Sequence, residues 1–136
     1  MFIGRKQELQ FLEERYASKG GQLVVLYGRR RVGKTETLHE FCKGKPHVFY
    51  SCREVSDKLQ LRSFSSKMLQ EKIPAAKYIS EFDDWEAALG SISELPYGKR
   101  KKLLVFDEFP YMCKYNSSVP SVLQALWDER LKDDNV

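Results

Sequence analysis

Gly28-Arg29-Arg30-Arg31-Val32-Gly33-Lys34-Thr35 fills the pattern G-x-x-x-x-G-K-[ST] at every fixed position. Glycines at the two ends let the backbone reverse and turn its N–H groups inward around phosphate oxygens. Lys34 is then placed to reach the β- and γ-phosphates of a nucleotide, and the Thr35 hydroxyl to ligate Mg²⁺. A helix opening near Lys34 points its positive dipole end at the same anion, so Glu36 in its first turn belongs to the phosphate-binding stretch. Two readings remain for the arginines. Either their side chains face solvent while the backbone holds phosphate, or one of them touches the nucleotide or a neighbouring subunit.

A second stretch, Leu103-Leu104-Val105-Phe106-Asp107-Glu108, is an apolar run that ends in two carboxylates. As a buried strand it carries those carboxylates to the carboxyl edge of a sheet, where open α/β folds bind ligands. Asp107 is expected to hold Mg²⁺, directly or through water, together with Thr35. Glu108 is expected to polarise the water that attacks the γ-phosphate. An enzyme passing phosphate to a metabolite must exclude water, so Glu108 favours hydrolysis. Other chemistries have little support: Cys42, Cys52 and Cys113 form no C-x-x-C pair, and neither His39 nor His47 has a second ligand at metal spacing.

The elements that must hold these groups follow from periodicity. Leu9, Leu12 and Tyr16 predict an amphipathic helix over 5–18, ended by Gly20-Gly21. An apolar run over 22–27 reads as a strand buried on both faces, followed by the glycine loop and a helix over 34–43. His47–Ser51 reads as a second strand. Ser56-Asp57 caps a helix carrying Leu61, Phe64, Met68 and Leu69. Asp83 with Glu86 forms a near-capping box ahead of Trp85, Ala88, Leu89 and Ile92. A strand over 103–106 and a helix with Val119, Val122, Leu123, Leu126 and Leu131 on one face complete the set, with Pro120 in its first turn. Strands alternating with helices predict an α/β fold with a largely parallel sheet.

The 136 residues accommodate one domain, read as an N-terminal helix segment (1–21) and a nucleotide-binding core (22–136). A 42% hydrophobic and 31% charged composition excludes disorder and a collagen-like fibre. The longest apolar run is Leu23–Tyr27, far below the roughly 20 residues of a membrane span. The N-terminus has no signal-peptide core, so a cytoplasmic location is expected. The net charge of +4 is concentrated in Arg29–Arg31 and in Lys99-Arg100-Lys101-Lys102. That second run reads as a solvated loop, with a nucleic-acid contact as the alternative.

These motifs together resemble the archaeal-type P-loop ATPases, in the AAA-like, STAND-related branch whose sheet has an additional strand. Phe2-Ile3-Gly4-Arg5 with Glu8-Leu9 looks like the family's F-[IV]-G-R-x-x-E-L opening. Tyr27–Thr35 looks like its Y-G-R-R-R-V-G-K-T loop, and Asp107-Glu108-Phe109-Pro110-Tyr111 like its D-E-[FW]-x-[YW] motif. Leu126-Trp127-Asp128 is similar to its late W-D helix.

The resemblance implies a three-layer P-loop NTPase sandwich with strand order 5-1-4-3-2, ATP and Mg²⁺ as ligands, and Gly4 and Arg5 near the base. It also implies that strands 4 and 5, the γ-phosphate sensor and the lid lie beyond this sequence. Weak or absent ATP hydrolysis by the chain alone is therefore expected. The alternatives are a nucleotide-dependent switch or oligomerisation module with little turnover, and the ATPase part of a nucleic-acid-handling protein. A homo-oligomer or further C-terminal domains are the expected protein partners.

Overall fold

A computed structural model describes residues 6–24 and 33–136. In chain order these form α1 (Lys6–Ala17), α2 (Lys34–Cys42), β1 (His47–Ser51), α3 (Asp57–Leu69), α4 (Trp85–Gly90), β2 (Leu103–Asp107), α5 (Phe109–Tyr115) and α6 (Val119–Glu129). Short 3₁₀ turns lie at Pro74–Lys77, Ser91–Glu94 and Leu131–Asp133. Of the strand expected over 22–27, residues 22–24 carry no regular structure and 25–27 lie outside the described residues.

β1 and β2 pair in parallel, in register from His47 opposite Leu103 to Ser51 opposite Asp107. The Cys52 N–H extends the ladder by donating to the Asp107 carbonyl at 2.9 Å. Alternation along both strands divides the core. Val48, Tyr50, Leu104 and Phe106 face a large cluster with α3, α4, α5 and α6. Phe49, Leu103 and Val105 face a smaller one built from Leu12 of α1 and Leu38, Phe41 and Cys42 of α2. Helices thus cover both faces of a parallel pair, which is why Val48–Tyr50 and Leu103–Phe106 are apolar on both faces. In the larger cluster the Phe64 ring lies 5.3 Å from Tyr50 and 5.4 Å from Phe106, joining α3 to both strands.

Local chemistry sets most of the boundaries. Ser56 caps α3 by accepting from the Leu59 N–H. α4 is capped by Asp84, which accepts from the Ala87 N–H at 2.8 Å, and not by the Asp83 and Glu86 pair. Both aspartates are cap-competent, and burial of Trp85, at 4% exposure, sets the phase. The buried stripe continues through Ile92, but in a 3₁₀ turn. α6 stops at Glu129 because Arg130 leaves helical geometry with φ −154°; Leu131 enters the core from a separate turn.

The basic run is solvated only in its first half: Lys99 and Arg100 are exposed, whereas Lys101 and Lys102 turn inward. Lys101 is buried and its Nζ donates to the Gly20 carbonyl at 2.5 Å. Lys102 Nζ bonds the Asp134 carbonyl at 2.7 Å and Arg100 bonds the Gly44 carbonyl at 2.9 Å. These donors tie the approach to β2 to α1's exit, α2's exit and the C-terminal residues. Those last residues lie between two others: the Asn135 carbonyl accepts from Lys102 N–H at 2.8 Å, and the Val136 carbonyl from Gln22 N–H at 3.0 Å. Gly21 donates to Lys132 at 2.8 Å, and a Cβ there would sit 2.5 Å from the Lys132 Cα, which only glycine avoids.

Candidate functional site

The carboxyl end of β2 and the first turn of α2 meet, although their key residues are 72 positions apart. Gly33 is the N-cap of α2 in the left-handed region, φ 85° and ψ 9°, and offers no side chain to the helix's first N–H groups. Those donors therefore point outward unsatisfied by a cap, the arrangement that suits an anion. Behind them Thr37 is fully buried, and its hydroxyl donates to the Gly33 carbonyl at 2.7 Å, bracing the turn from inside.

The Thr35 hydroxyl donates to Asp107 Oδ2 at 2.7 Å. Asp107 Oδ1 accepts from the Glu108 N–H at 3.1 Å. Lys34 Nζ stands 3.9 Å from Asp107 Oδ1 and 3.9 Å from Glu108 Oε1. The Asp107 side chain is only 5% exposed, against 26% for Glu108. A buried carboxylate needs compensation, and Asp107 has two donors and a nearby ammonium. Glu108 adopts φ 58° and ψ 41° at the N-cap of α5, a left-handed conformation uncommon for a residue with a Cβ. Strain of this kind re-aims the chain at the end of β2.

Hard oxygens of Thr35 and Asp107 side by side fit a magnesium ion. Among the described residues no group of three or more His, Cys, Asp or Glu could hold a metal ion. Magnesium usually takes one or two protein ligands and completes its shell with phosphate and water, so two ligands suffice.

Of the expected site residues, Gly33, Lys34, Thr35, Asp107 and Glu108 come together. Glu36 lies exposed in the first turn of α2. Gly28, Arg29, Arg30, Arg31, Val32, Gly4 and Arg5 lie outside the described residues.

Sequence reasoning missed two supports of this edge. Thr37 is one, with no local signal beyond its place two residues after Thr35. The other is Gln60, at 1% exposure, which grips the loop after β1. Its Nε2 donates to the Arg53 carbonyl at 2.7 Å, and its Oε1 accepts from the Arg53 N–H at 3.2 Å and from the Tyr50 hydroxyl at 2.5 Å. Glu54 in the same loop pairs with Lys114 of α5. The three cysteines are free thiols, and burial pushes Cys42 up to about 11 and Cys52 up to about 12.

A parallel α/β pair bearing a Lys-Thr helix start against an Asp-Glu strand end has the outline of a nucleotide-hydrolysing domain. Comparison with known proteins makes that class specific: residues 2–136 match the family of ATPase domains found predominantly in Archaea, and the chain belongs to it. It is 32% identical over 133 residues to an uncharacterized protein of Methanocaldococcus jannaschii, covering 98% of this chain and 27% of that protein. An uncharacterized ATP-binding protein of the same organism is 49% identical over 45 residues, covering 33% of this chain and 76% of the relative. The chain thus spans about a quarter of the longer relative. No solved structure matches it. Among the described residues no helix is long and apolar enough to cross a membrane.

Proposed function

We propose that this chain forms the N-terminal part of a Mg²⁺-dependent ATP-hydrolysing core. The observation that carries the reading is the 2.7 Å hydrogen bond between Thr35 and Asp107, which joins the two halves of a magnesium–nucleotide site. Lys34 and the N–H groups from Gly28 to Glu36 hold the phosphates. Thr35 and Asp107 hold magnesium, which when bound neutralises phosphate charge and fixes the phosphate oxygens. Glu108, the more exposed carboxylate, accepts a hydrogen bond from the attacking water and draws its proton away. Asp107 positions Glu108 in turn by accepting its N–H. By the family resemblance, Gly4 and Arg5 are assigned to contact with the base.

The sheet of the whole domain is larger than the pair described. The Asn135 and Val136 carbonyls, bonded to Lys102 on one side and Gln22 on the other, support a strand position between β2 and the 22–24 segment. The γ-phosphate sensor and lid are proposed to come from further sequence, which the longer length of the relative supports. ATP turnover by these 136 residues is then slow. ATP hydrolysis by this chain, by a chain extended past Val136 and by the extended Glu108→Gln variant tests this. Fast turnover only in the extended chain, lost on substitution, is expected. Equal turnover by the short chain would refute the division of labour.

A nucleotide-driven switch is compatible with the same site, since Lys34 must leave the carboxylates to meet phosphate. The nucleic-acid reading is weakened, because Lys101 and Lys102 are turned onto backbone carbonyls and only Lys99 and Arg100 of the run stay exposed.

A further inference from the structure

We propose that Lys34 is the resident counter-ion of the cation site, keeping divalent metal out until phosphate arrives. Metal and nucleotide then enter together. The inference rests on the functional reading above and adds a gating rule to it. Four contacts carry it. The Lys34 ammonium stands 3.9 Å from one oxygen of Asp107 and 3.9 Å from one of Glu108. The Thr35 hydroxyl spends its proton on the other Asp107 oxygen at 2.7 Å. The Glu108 N–H occupies the first Asp107 oxygen at 3.1 Å.

A bare divalent cation approaching this edge meets two carboxylates that already share one ammonium, which cancels part of their charge. To bond Asp107 at about 2.1 Å it must come within a few ångströms of the Lys34 ammonium. Side-chain exposure of 15% at Lys34 and 5% at Asp107 leaves little water to screen that repulsion. Phosphate oxygens change the balance by giving Lys34 an alternative partner. Once the ammonium swings to them, Asp107 loses the cation beside it, and the Thr35 oxygen can offer a lone pair to metal while its proton stays on Asp107. The same lysine that attracts nucleotide thereby excludes metal without nucleotide.

The rule makes an unusual prediction: removing the lysine should weaken nucleotide binding but strengthen binding of metal alone. The test is Mn²⁺ titration without nucleotide, read by electron paramagnetic resonance of free Mn²⁺. Lys34→Met, which keeps length and removes charge, should bind Mn²⁺ at least about tenfold more tightly than the unaltered chain. Asp107→Asn in the Lys34→Met background should abolish the gain. Lys34→Arg, which retains the cation, should show none, and Lys34→Gln serves if Lys34→Met fails to fold by circular dichroism. Equal or weaker Mn²⁺ affinity in a folded neutral variant would overturn the proposal, as would a gain of the same size in Lys34→Arg. No nucleotide enters this titration, so its result is separate from failure of the functional reading, which would show as absent ADP binding by the unaltered chain.

Discussion

At the scale of the residue, the site depends on short contacts between groups far apart in sequence. Thr35 and Asp107 share a hydrogen bond, and Glu108 sits at the one position where the chain leaves β2 in a left-handed turn. Thr35→Val should leave the fold intact and remove one of the two proposed magnesium ligands. Nucleotide affinity measured with Mg²⁺ is then expected to fall about tenfold, while affinity in EDTA changes little. Glu108→Gln should bind Mg·ATP within about threefold of the unaltered chain and cut hydrolysis in an extended chain by about 10²–10⁴-fold. Isothermal titration and steady-state turnover separate the two effects. The G-x-x-x-x-G-K-T spacing and the Asp-Glu strand end made five of these residues legible. Thr37 was not, because its hydroxyl works inward on the Gly33 carbonyl and a buried threonine leaves no pattern in the chain.

At the scale of the element, helical and strand periodicity identified most of the pieces. Ambiguity entered where two local solutions compete. Asp83 and Asp84 can each cap a helix, and only the burial of Trp85 chooses between them. α5 went unseen because it has 7 residues and begins directly after Glu108, where a strand end gave no helix signal. The basic run misled for a tertiary reason: Lys101 and Lys102 find carbonyl partners that lie 81 and 32 positions away. Gln60 belongs here too, since its amide holds the loop that follows β1. Gln60→Leu would strand both Arg53 backbone groups and leave the Tyr50 hydroxyl only its longer bond to the residue 60 carbonyl at 3.3 Å, and is expected to cost about 2–3 kcal/mol in urea denaturation. Gly21→Ala, which meets the Lys132 backbone, should cost about 1–3 kcal/mol by the same measurement.

At the scale of the whole molecule, two apolar clusters on opposite faces of β1 and β2 make an α/β layer structure, as expected from alternating strands and helices. Its stability should depend on alkaline pH through buried thiols. Burial raises Cys42 from 9.0 to about 11; burial, with Cys113, Asp107 and Glu108 nearby, raises Cys52 to about 12. The folded chain therefore holds more protons than the unfolded chain between about pH 9 and 12. The resulting stabilisation is complete below 9 and is lost as pH rises through that window. Urea midpoints should fall from pH 8 to 10.5, with a shallower slope in Cys42→Ala/Cys52→Ala; identical slopes would remove the thiols from the explanation.

The central claim, that α2's start and β2's end form one magnesium–nucleotide site, is tested most directly by Mg·ADP titration calorimetry on this chain. The unaltered chain should bind with an affinity at least about tenfold greater in Mg²⁺ than in EDTA, and Asp107→Asn should erase that difference while remaining folded. Binding that is insensitive to Mg²⁺, or unchanged in Asp107→Asn, would contradict it.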